Sequence, residues 1–498
     1  MANKTKQLKI IIALSSSAGL LLVALIVFFA FSYILTIANL VPAIVSCAYL
    51  IITSKKQNSG FLNNNNVLTG PIIVFGLLIT PIIGTIVISM IFSFGVYSIV
   101  VSFLMPMTFM SIFFYLPLAI YEKYFKRNTD IPLLMPPLTV IIPAYNEENN
   151  LGKTLDSIIE ADYPNKQIIV VDDGSTDQTY TIASKYKRKS SSSRNGYCII
   201  KKRNGGKASA INLALRFATG QIVIIVDADS ILERTALKEM VKFFQYPDVI
   251  AVAGRVKVLN RSNILTNCTA LEVIMGANLL RPAFSLFGVV TMVPGAIGGF
   301  RKKAILQRGS YDNNTLTEDF DMTMKLLKNG GKILGIDSTS YTEVPSTLRE
   351  FYKQRIRWYR GNFQTLLKHK DIARSNKKDS MLYKFGYPIT LFTFIMPPFL
   401  DIAIIGFAII AILEGTGMSL LVPFILFMFL QLLLSAIAIV SEGKEEWKLV
   451  LYSPLGVLGY KQIINFIIIK SIFDVLFRKN FRVTINKSIH SPIVTIAK

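Results

Sequence analysis

Histidine, tryptophan and cysteine are scarce in this 498-residue chain, at two, two and three copies. His369 and His490 lie in polar, basic stretches and read as solvated side chains, so chemistry built on a histidine nucleophile, base or metal cluster is set aside. Cys47, Cys198 and Cys268 are far apart and lack metal-ligand spacing, which suggests neither a disulfide framework nor a zinc site, and the compartment reads as reducing. Negative charge is short as well, with 31 Asp and Glu against 54 Lys and Arg, for a net charge of +23. An excess of that size serves either nucleic acid or a cytoplasmic membrane face. No zinc finger, RNA-binding signature or helix-turn-helix accompanies it, which excludes nucleic acid as the partner. The charge is assigned to positive loops beside membrane segments, with a phosphate-bearing substrate as second contributor.

Apolar residues are abundant, at 52% of the chain, and mean hydropathy is +0.46. That is too apolar for an ordinary soluble protein and implies several membrane spans beside a folded domain. Residues 8 to 53 carry no charge between Lys9 and Lys55, long enough for two helices at roughly 20 residues per span. Lys4, Lys6 and Lys9 resemble the start of a signal peptide, but the apolar run is far longer than a signal core, which favours uncleaved insertion. Residues 71 to 121 fit two more helices and end at Glu122, Lys123, Lys126 and Arg127. Basic residues thus recur after every second crossing, the positive-inside pattern for a cytoplasmic N-terminus and a cytoplasmic domain following. Further apolar blocks cover 386 to 412 and 417 to 441. The block from 449 to 477 holds Tyr460, Lys461, Lys470 and Asp474, and one more crossing would put Arg478, Lys479 and Arg482 outside; an interfacial or re-entrant segment avoids this.

Between these flanks, from 137 to 345, short strands alternate with amphipathic helices. Leu138 to Pro143, Gln167 to Val171 and Gln221 to Val226 are β-branched and bounded by turns, as interior parallel strands are. Helical patterns near 147 to 161, 176 to 188 and 206 to 218 separate them, while 185 to 194 reads as a solvated loop. This is an α/β nucleotide-binding architecture, in which ligands collect at the C-terminal strand ends. Asp172 and Asp173 follow one such strand and Asp227 and Asp229 another.

Asp227 and Asp229 stand two apart, so at an extended strand end both carboxylates project to one side. Hard oxygen ligands so arranged suit Mg2+ or Mn2+ bridging a diphosphate; the alternative is a pair capping a helix that begins near Leu232. Asp172 and Asp173 read either as ligand contacts or as a turn cap before Gly174. Lys207 follows Gly205-Gly206 and opens a helix, a setting for phosphate, although no Gly-x4-Gly-Lys-Ser/Thr loop exists and a surface lysine after a turn is the other reading. Thr317-Glu318-Asp319 heads a helix from Phe320 to Leu327 that Thr317 can cap. Its acidic pair either complements the helix dipole or supplies a desolvated carboxylate able to take a proton from an attacking hydroxyl.

Gln354-Arg-Ile-Arg-Trp358 lies on a helix announced by the capping-box pair Thr347 and Glu350. Tyr352, Ile356 and Phe363 recur on one side; Gln354, Arg357 and Trp358 gather on the other, with Arg349, Lys353 and Arg360 as a basic flank. The helix suits a membrane surface with one face toward a site, or is an ordinary interfacial helix with a Trp anchor.

Val140-Ile-Ile-Pro-Ala-Tyr-Asn-Glu147, Val171-Asp-Asp-Gly-Ser-Thr-Asp177, Asn204-Gly-Gly-Lys207, Asp227-Ala-Asp229, Thr317-Glu-Asp319 and Gln354-Arg-Ile-Arg-Trp358 together resemble the membrane-embedded, processive family 2 glycosyltransferases, which make cellulose, chitin, hyaluronan and poly-N-acetylglucosamine. The resemblance is close over 137 to 365 and covers the flanking spans in outline. It implies a GT-A-type nucleotide-sugar-binding domain inserted between multi-pass α-helical transmembrane segments. Tyr145, Glu147, Asp172 and Asp173 would hold the nucleotide of a UDP-sugar, Lys207 the diphosphate, and Asp227 and Asp229 the nucleotide and metal, Mg2+ or Mn2+. Asp319, beside Glu318, would be the general base. Gln354, Arg357 and Trp358 would border the acceptor, a growing polysaccharide, with Arg357 also near the diphosphate. Val293-Pro-Gly-Ala-Ile-Gly-Gly-Phe-Arg301 looks more like the chitin and poly-N-acetylglucosamine branch, which tilts the donor toward UDP-N-acetylglucosamine. Phe481-Arg-Val-Thr-Ile-Asn-Lys487 resembles a gating loop of the cellulose synthases, with its lysine displaced by one place.

The expected organisation is a transmembrane region of about four helices at 1–130, a cytoplasmic catalytic domain at 131–345, an interfacial helix and basic linker at 346–380, two or three membrane helices at 381–480, and a basic tail at 481–498. The expected activity is inverting, processive transfer to a β-linked polymer in the cell membrane, coupled to export, with membrane lipids as partners and accessory secretion subunits undetermined. The alternatives are single-sugar transfer to a lipid carrier and, in another class, a non-catalytic transporter or scaffold.

Overall fold

The computed structural model describes residues 108, 111–126, 134–190, 196–374, 380–442, 447–477 and 495–497. The apolar block at 8 to 53, most of that at 71 to 121, His490 and the Phe481 to Lys487 stretch lie outside the described residues. Contacts divide the chain into two compact units, one drawn from 128–262, 288–370 and 471–498, the other from 1–127, 263–287 and 371–470.

The first unit holds a nine-stranded mixed sheet: β1 (Leu138–Ala144), β2 (Lys166–Asp172), β3 (Tyr197–Lys201), β4 (Ile222–Ile225), β5 (Ser230–Leu232), β6 (Val249–Val258), β7 (Gly298–Arg301), β8 (Lys332–Thr342) and β9 (Thr495–Ala497). Its order is β5-β8-β6-β7-β4-β1-β2-β3-β9. The three strands read from the sequence are β1, β2 and β4, and they pair in parallel as expected. Every residue of β1 and β4 is buried, so unbroken β-branched runs form where helices cover both faces. The chain steps from β1 out to β3 and then returns to β4 on the other side of β1, which opens a crevice at the C-terminal ends of β1 and β4. Register levels the ends of β1, β2 and β3, with Ala144 opposite Asp172 and Asp172 opposite Lys201, while β4 ends at Ile225 opposite Ile141.

Beyond β4 the sheet turns antiparallel through β7, which joins it to the parallel pair β6 and β8. This half is not visible as apolar runs, because β6 and β8 bury Arg255, Lys257, Ser338, Thr339 and Ser340. No helix begins near Leu232. Ser230–Leu232 is β5, paired with β8, and the next helix, Ala236–Lys242, has Thr235 at its N-cap. Asp227 and Asp229 therefore cap no helix.

Outside the sheet, Leu382–Leu413 and Trp447–Phe477 are long and apolar enough to cross a membrane, and Leu421–Glu442 is a further apolar helix; all but 471–477 of these belong to the second unit. The awkward block at 449 to 477 is helical but broken, with Leu458 extended and Gly459 at φ +97°. Its Lys461 pairs with Asp401 of Tyr387–Leu413 at 3.4 Å, and Asn465 donates to the same carboxylate. A buried carboxylate in an apolar helix thus has both a countercharge and a hydrogen-bond donor.

Candidate active site

Loops leaving β1 and β2 are laced together above the crevice. Asn146, at φ +54°, accepts from Thr176 N at 2.9 Å, and its own N–H reaches Ser175 Oγ at 2.9 Å. Glu147 N donates to Thr179 Oγ1 at 2.7 Å. Tyr145 is left half exposed beside this lacing, with its ring free to meet a ligand. Asp172 is fully buried; Oδ1 accepts from Ser175 N at 2.9 Å, whereas Oδ2 is buried with no hydrogen-bond partner. An orphaned carboxylate oxygen costs about 1–3 kcal/mol, a cost that an incoming N–H donor would remove.

Asp173 does something different. It pairs with buried Lys202 and accepts from the backbone N–H groups of Gly205 at 3.1 Å and Gly206 at 2.7 Å. Its carboxylate shapes the turn that delivers Lys207 to the start of the Lys207–Phe217 helix. Lys207 Nζ lies 2.5 Å from Asp227 Oδ1 and 3.4 Å from Glu318 Oε1. Burial works against its charge, yet Asp227, Glu318 and Asp319 outweigh it and hold the ammonium pKa above the ordinary lysine value. Gly295 passes directly behind this pair: a Cβ there would press on Lys207 Nζ and lie 3.0 Å from Asp227 Oδ2.

The Asp227-Ala228-Asp229 turn is pinned by Thr154, whose hydroxyl donates to Ala228 O at 2.7 Å. Burial and then the Asp227 charge push the Asp229 carboxyl up, and burial chiefly, with Asp229, Asp227 and Asp177 adding, does the same for Glu147 despite its hydrogen bond from Asn150. Carboxylates crowded until their proton affinity rises are a set that a cation relieves. Among the described residues no three metal-ligating side chains converge, so the protein would supply few ligands. That fits Mg2+ or Mn2+, which keep several waters and take the rest of their shell from substrate phosphates. Asp227 and Asp229 fit the group.

Glu318 and Asp319 occupy the first turn of the Glu318–Lys328 helix. Asp319 Oδ1 accepts from Phe320 N at 2.8 Å. Its carboxyl is pushed up to about 6, first by burial and then by Glu318, with Lys207 opposing. Buried Tyr311, not singled out by the sequence, lines the same pocket as Lys207, Glu318, Asp319 and Gly295. Burial and the two acids keep its phenol well above its usual range, hence neutral. Thr317 does not cap the helix through its side chain: Oγ1 is buried without a partner, because Gly361 of the Leu348–Lys368 helix is packed against it.

That long helix is capped at Thr347, whose hydroxyl accepts from Glu350 N at 3.3 Å and meets Glu350 Oε2 at 2.9 Å. Gln354 and Trp358 are partly exposed and Arg357 is exposed, its Nη1 donating to Leu316 O at 3.4 Å just before the Thr317-Glu-Asp319 motif. The buried stripe is Phe351, Arg355, Ile356, Gly361, Phe363, Thr365 and Leu366. Arg355, read only as part of the motif, is 5% exposed, with its guanidinium over the Phe351 ring at 5.0 Å and the Trp358 ring at 4.9 Å. The indole is thus oriented from beneath by a cation. His369, expected to be solvated, is 5% exposed and lies 2.9 Å from Asp321. Basic neighbours in sequence masked it; the pairing is between two helices and only the fold reveals it.

Residues 139–308 match the family model described as Glycosyl transferase family 2. Among curated proteins, the poly-beta-1,6-N-acetyl-D-glucosamine synthase of Staphylococcus aureus (strain MSSA476) is 30% identical over 262 residues, 52% of this chain and 62% of that protein. The protein of the same name from Staphylococcus epidermidis is 29% identical over 238 residues, 46% of this chain and 56% of its own. The chain spans about three fifths of the length of these curated relatives. Among solved structures, the mannosyltransferase PcManGT from Pyrobaculum calidifontis, in complex with GDP-Man and Mn2+, aligns at a TM-score of 0.56 and 21% identity, over 77% of this chain and 99% of that one. That likeness is one of fold.

Proposed function

From the premise that this chain carries a family 2 glycosyltransferase domain on a GT-A-like fold, we propose that it transfers N-acetylglucosamine from UDP-N-acetylglucosamine to the end of a growing β-linked polysaccharide, processively and at a membrane. The observation that carries this reading is the position of Lys207, whose ammonium joins Asp227 of the donor crevice to Glu318 beside Asp319. Donor-side and base-side motifs, 90 residues apart in sequence, so face one small volume.

Tyr145 and the unpaired Oδ2 of Asp172 face the nucleobase, while Asp173 keeps the Gly205-Gly206 turn in place for the diphosphate. Asp319 takes the proton of the acceptor hydroxyl; that oxygen bonds to the anomeric carbon from the face opposite the diphosphate, and the bond to the departing UDP oxygen breaks. Configuration inverts, giving a β-link from an α-linked donor. Lys207 and Arg357 supply positive charge where the leaving group becomes negative. A divalent cation held by Asp227 and Asp229 would supply further charge neutralisation at that diphosphate. Trp358, backed by Arg355, offers a face on which the terminal sugar stacks. Names of the staphylococcal relatives support the choice of sugar. Leu382–Leu413 and Trp447–Phe477 support a membrane-embedded enzyme whose apolar segments shape a path for the polymer.

The test is purified full-length protein with Mn2+ or Mg2+ and a panel of UDP-sugars, reading UDP release and sugar incorporation. UDP-N-acetylglucosamine should be the preferred donor, and Asp319→Asn should be inactive. Preference for another sugar overturns the donor assignment; full activity of Asp319→Asn overturns the role of the base.

A further inference from the structure

A charged cluster outside the catalytic crevice, centred on a buried carboxylate, joins the Glu318–Lys328 helix to the C-terminal end of the Leu348–Lys368 helix. Asp321, fully buried and two residues after Asp319, has Oδ1 2.9 Å from His369 Nε2 and 2.8 Å from Lys368 Nζ. Its Oδ2 lies 3.4 Å from Lys325 Nζ. Asp312 closes the group, 2.8 Å from Lys325 and 2.7 Å from Lys368.

A second attachment lies up the same helix, where Gly361 packs so near Thr317 that a Cβ added to it would lie 2.7 Å from Thr317 Cγ2 and Oγ1. Gly361 and His369 are eight residues apart, about 12 Å of helix, and Thr317 and Asp321 are four apart, about 6 Å. One contact would leave the long helix free to pivot; two contacts separated by two turns fix its rotation and its slide. Trp358 is three residues from the Gly361 contact and is therefore carried by both.

We infer that Asp321 and His369 are positioning residues that lock the Trp358-bearing helix to the helix bearing Asp319, and so set the register between acceptor hydroxyl and general base. This rests on the reading of Trp358 as an acceptor contact. Its effect falls on transfer more than on donor binding, because Tyr145, Asp172, Asp227 and Asp229 stand at the ends of β1, β2 and β4, which the cluster does not join, and only Lys207, through Glu318, and Arg357 link the two locked helices to the diphosphate.

The experiment compares transfer to polysaccharide acceptor with UDP-N-acetylglucosamine hydrolysis by water, in the full chain, for His369→Leu, His369→Gln and Trp358→Ala. Displacement on the order of 1 Å costs about 100-fold in a rate that depends on register. His369→Leu should lower the transfer-to-hydrolysis ratio by about tenfold or more, with UDP affinity held within about twofold. His369→Gln, whose amide still donates to Asp321, should restore most of the ratio. A generally destabilised protein would lose transfer and hydrolysis together, leaving the ratio unmoved, and that result overturns the inference. If Trp358→Ala lowers the ratio and His369→Leu does not, the inference alone fails; if neither does, the acceptor reading fails and takes the inference with it. Should His369→Leu not fold, Asp321→Asn, of the same shape and without the charge, gives the same comparison.

Discussion

Replacing Gly361 by alanine separates catalysis from stability. The new Cβ would lie 2.7 Å from Cγ2 and Oγ1 of Thr317 and 2.8 Å from Thr317 N. Carbon contacts settle near about 3.5–4.0 Å, so the two helices must part by about 0.8 Å at this point. A rotamer change cannot relieve it, because the third contact is backbone. Helix propensity favours alanine over glycine by about 1 kcal/mol, whereas overpacking costs about 1–3 kcal/mol. The two nearly offset each other, and a modest loss of about 0–2 kcal/mol is expected. With the proposed roles of Trp358 at the acceptor and Asp319 as base, catalysis has no such compensation, because the displacement falls between them, and a shift near 1 Å costs about 100-fold. Gly361→Ala should therefore keep UDP affinity, unfold within a few degrees of the parent and lose about 100-fold in transfer rate. Transfer at the parental rate from a stable Gly361→Ala protein would refute the reasoning, since it would show that this contact sets no catalytic distance.

Three further outcomes follow from the same geometry. With the Asp319 carboxyl pushed up to about 6, kcat/KM should fall with unit slope as pH drops through that value, and Glu318→Gln, which removes the neighbouring charge, should move the limb to lower pH; a profile flat from pH 5 to 7 would contradict this. Asp321 is held down at about 2 against an ordinary 3.8 by His369, Lys368 and Lys325, which overcome its burial. Its folded-state pKa is depressed, so its stabilisation is complete above about pH 4 and lost as pH falls toward 2, on the order of 2 kcal/mol, and acid unfolding of Asp321→Asn should lack that increment. Gly295→Ala drives a methyl into Lys207 and Asp227 and should weaken UDP binding by about tenfold in a titration while the fold survives, the effect of removing about 1.4 kcal/mol.

The parallel half of the sheet was legible because β1, β2 and β4 are unbroken apolar runs ended by polar turns, and such runs have one comfortable environment. The antiparallel half was not, since β6 and β8 bury arginine, lysine and hydroxyls whose partners are remote in sequence. In the site the same division holds. Asp172, Lys207, Asp227 and Asp319 stand at strand ends and helix starts, where local rules apply. Tyr311, Gly295, Gly361 and the Asp321–His369 pair act by close approach between distant segments, and a residue's own neighbours carry no trace of that. Asp173 shows the limit within a motif: adjacent to Asp172 and of identical chemistry, it turns inward to Lys202 and the Gly205-Gly206 turn.

Processive assembly is tested most directly by the size of the product at low turnover. Full-length protein in membrane vesicles is given labelled UDP-N-acetylglucosamine, Mn2+ and excess acceptor, and stopped when few acceptors have reacted. The expected product is long β-linked chains that a β-N-acetylglucosaminidase degrades, with most acceptor untouched and no product from Asp319→Asn. Acceptors each extended by a single sugar, or no incorporation of N-acetylglucosamine at all, would contradict it.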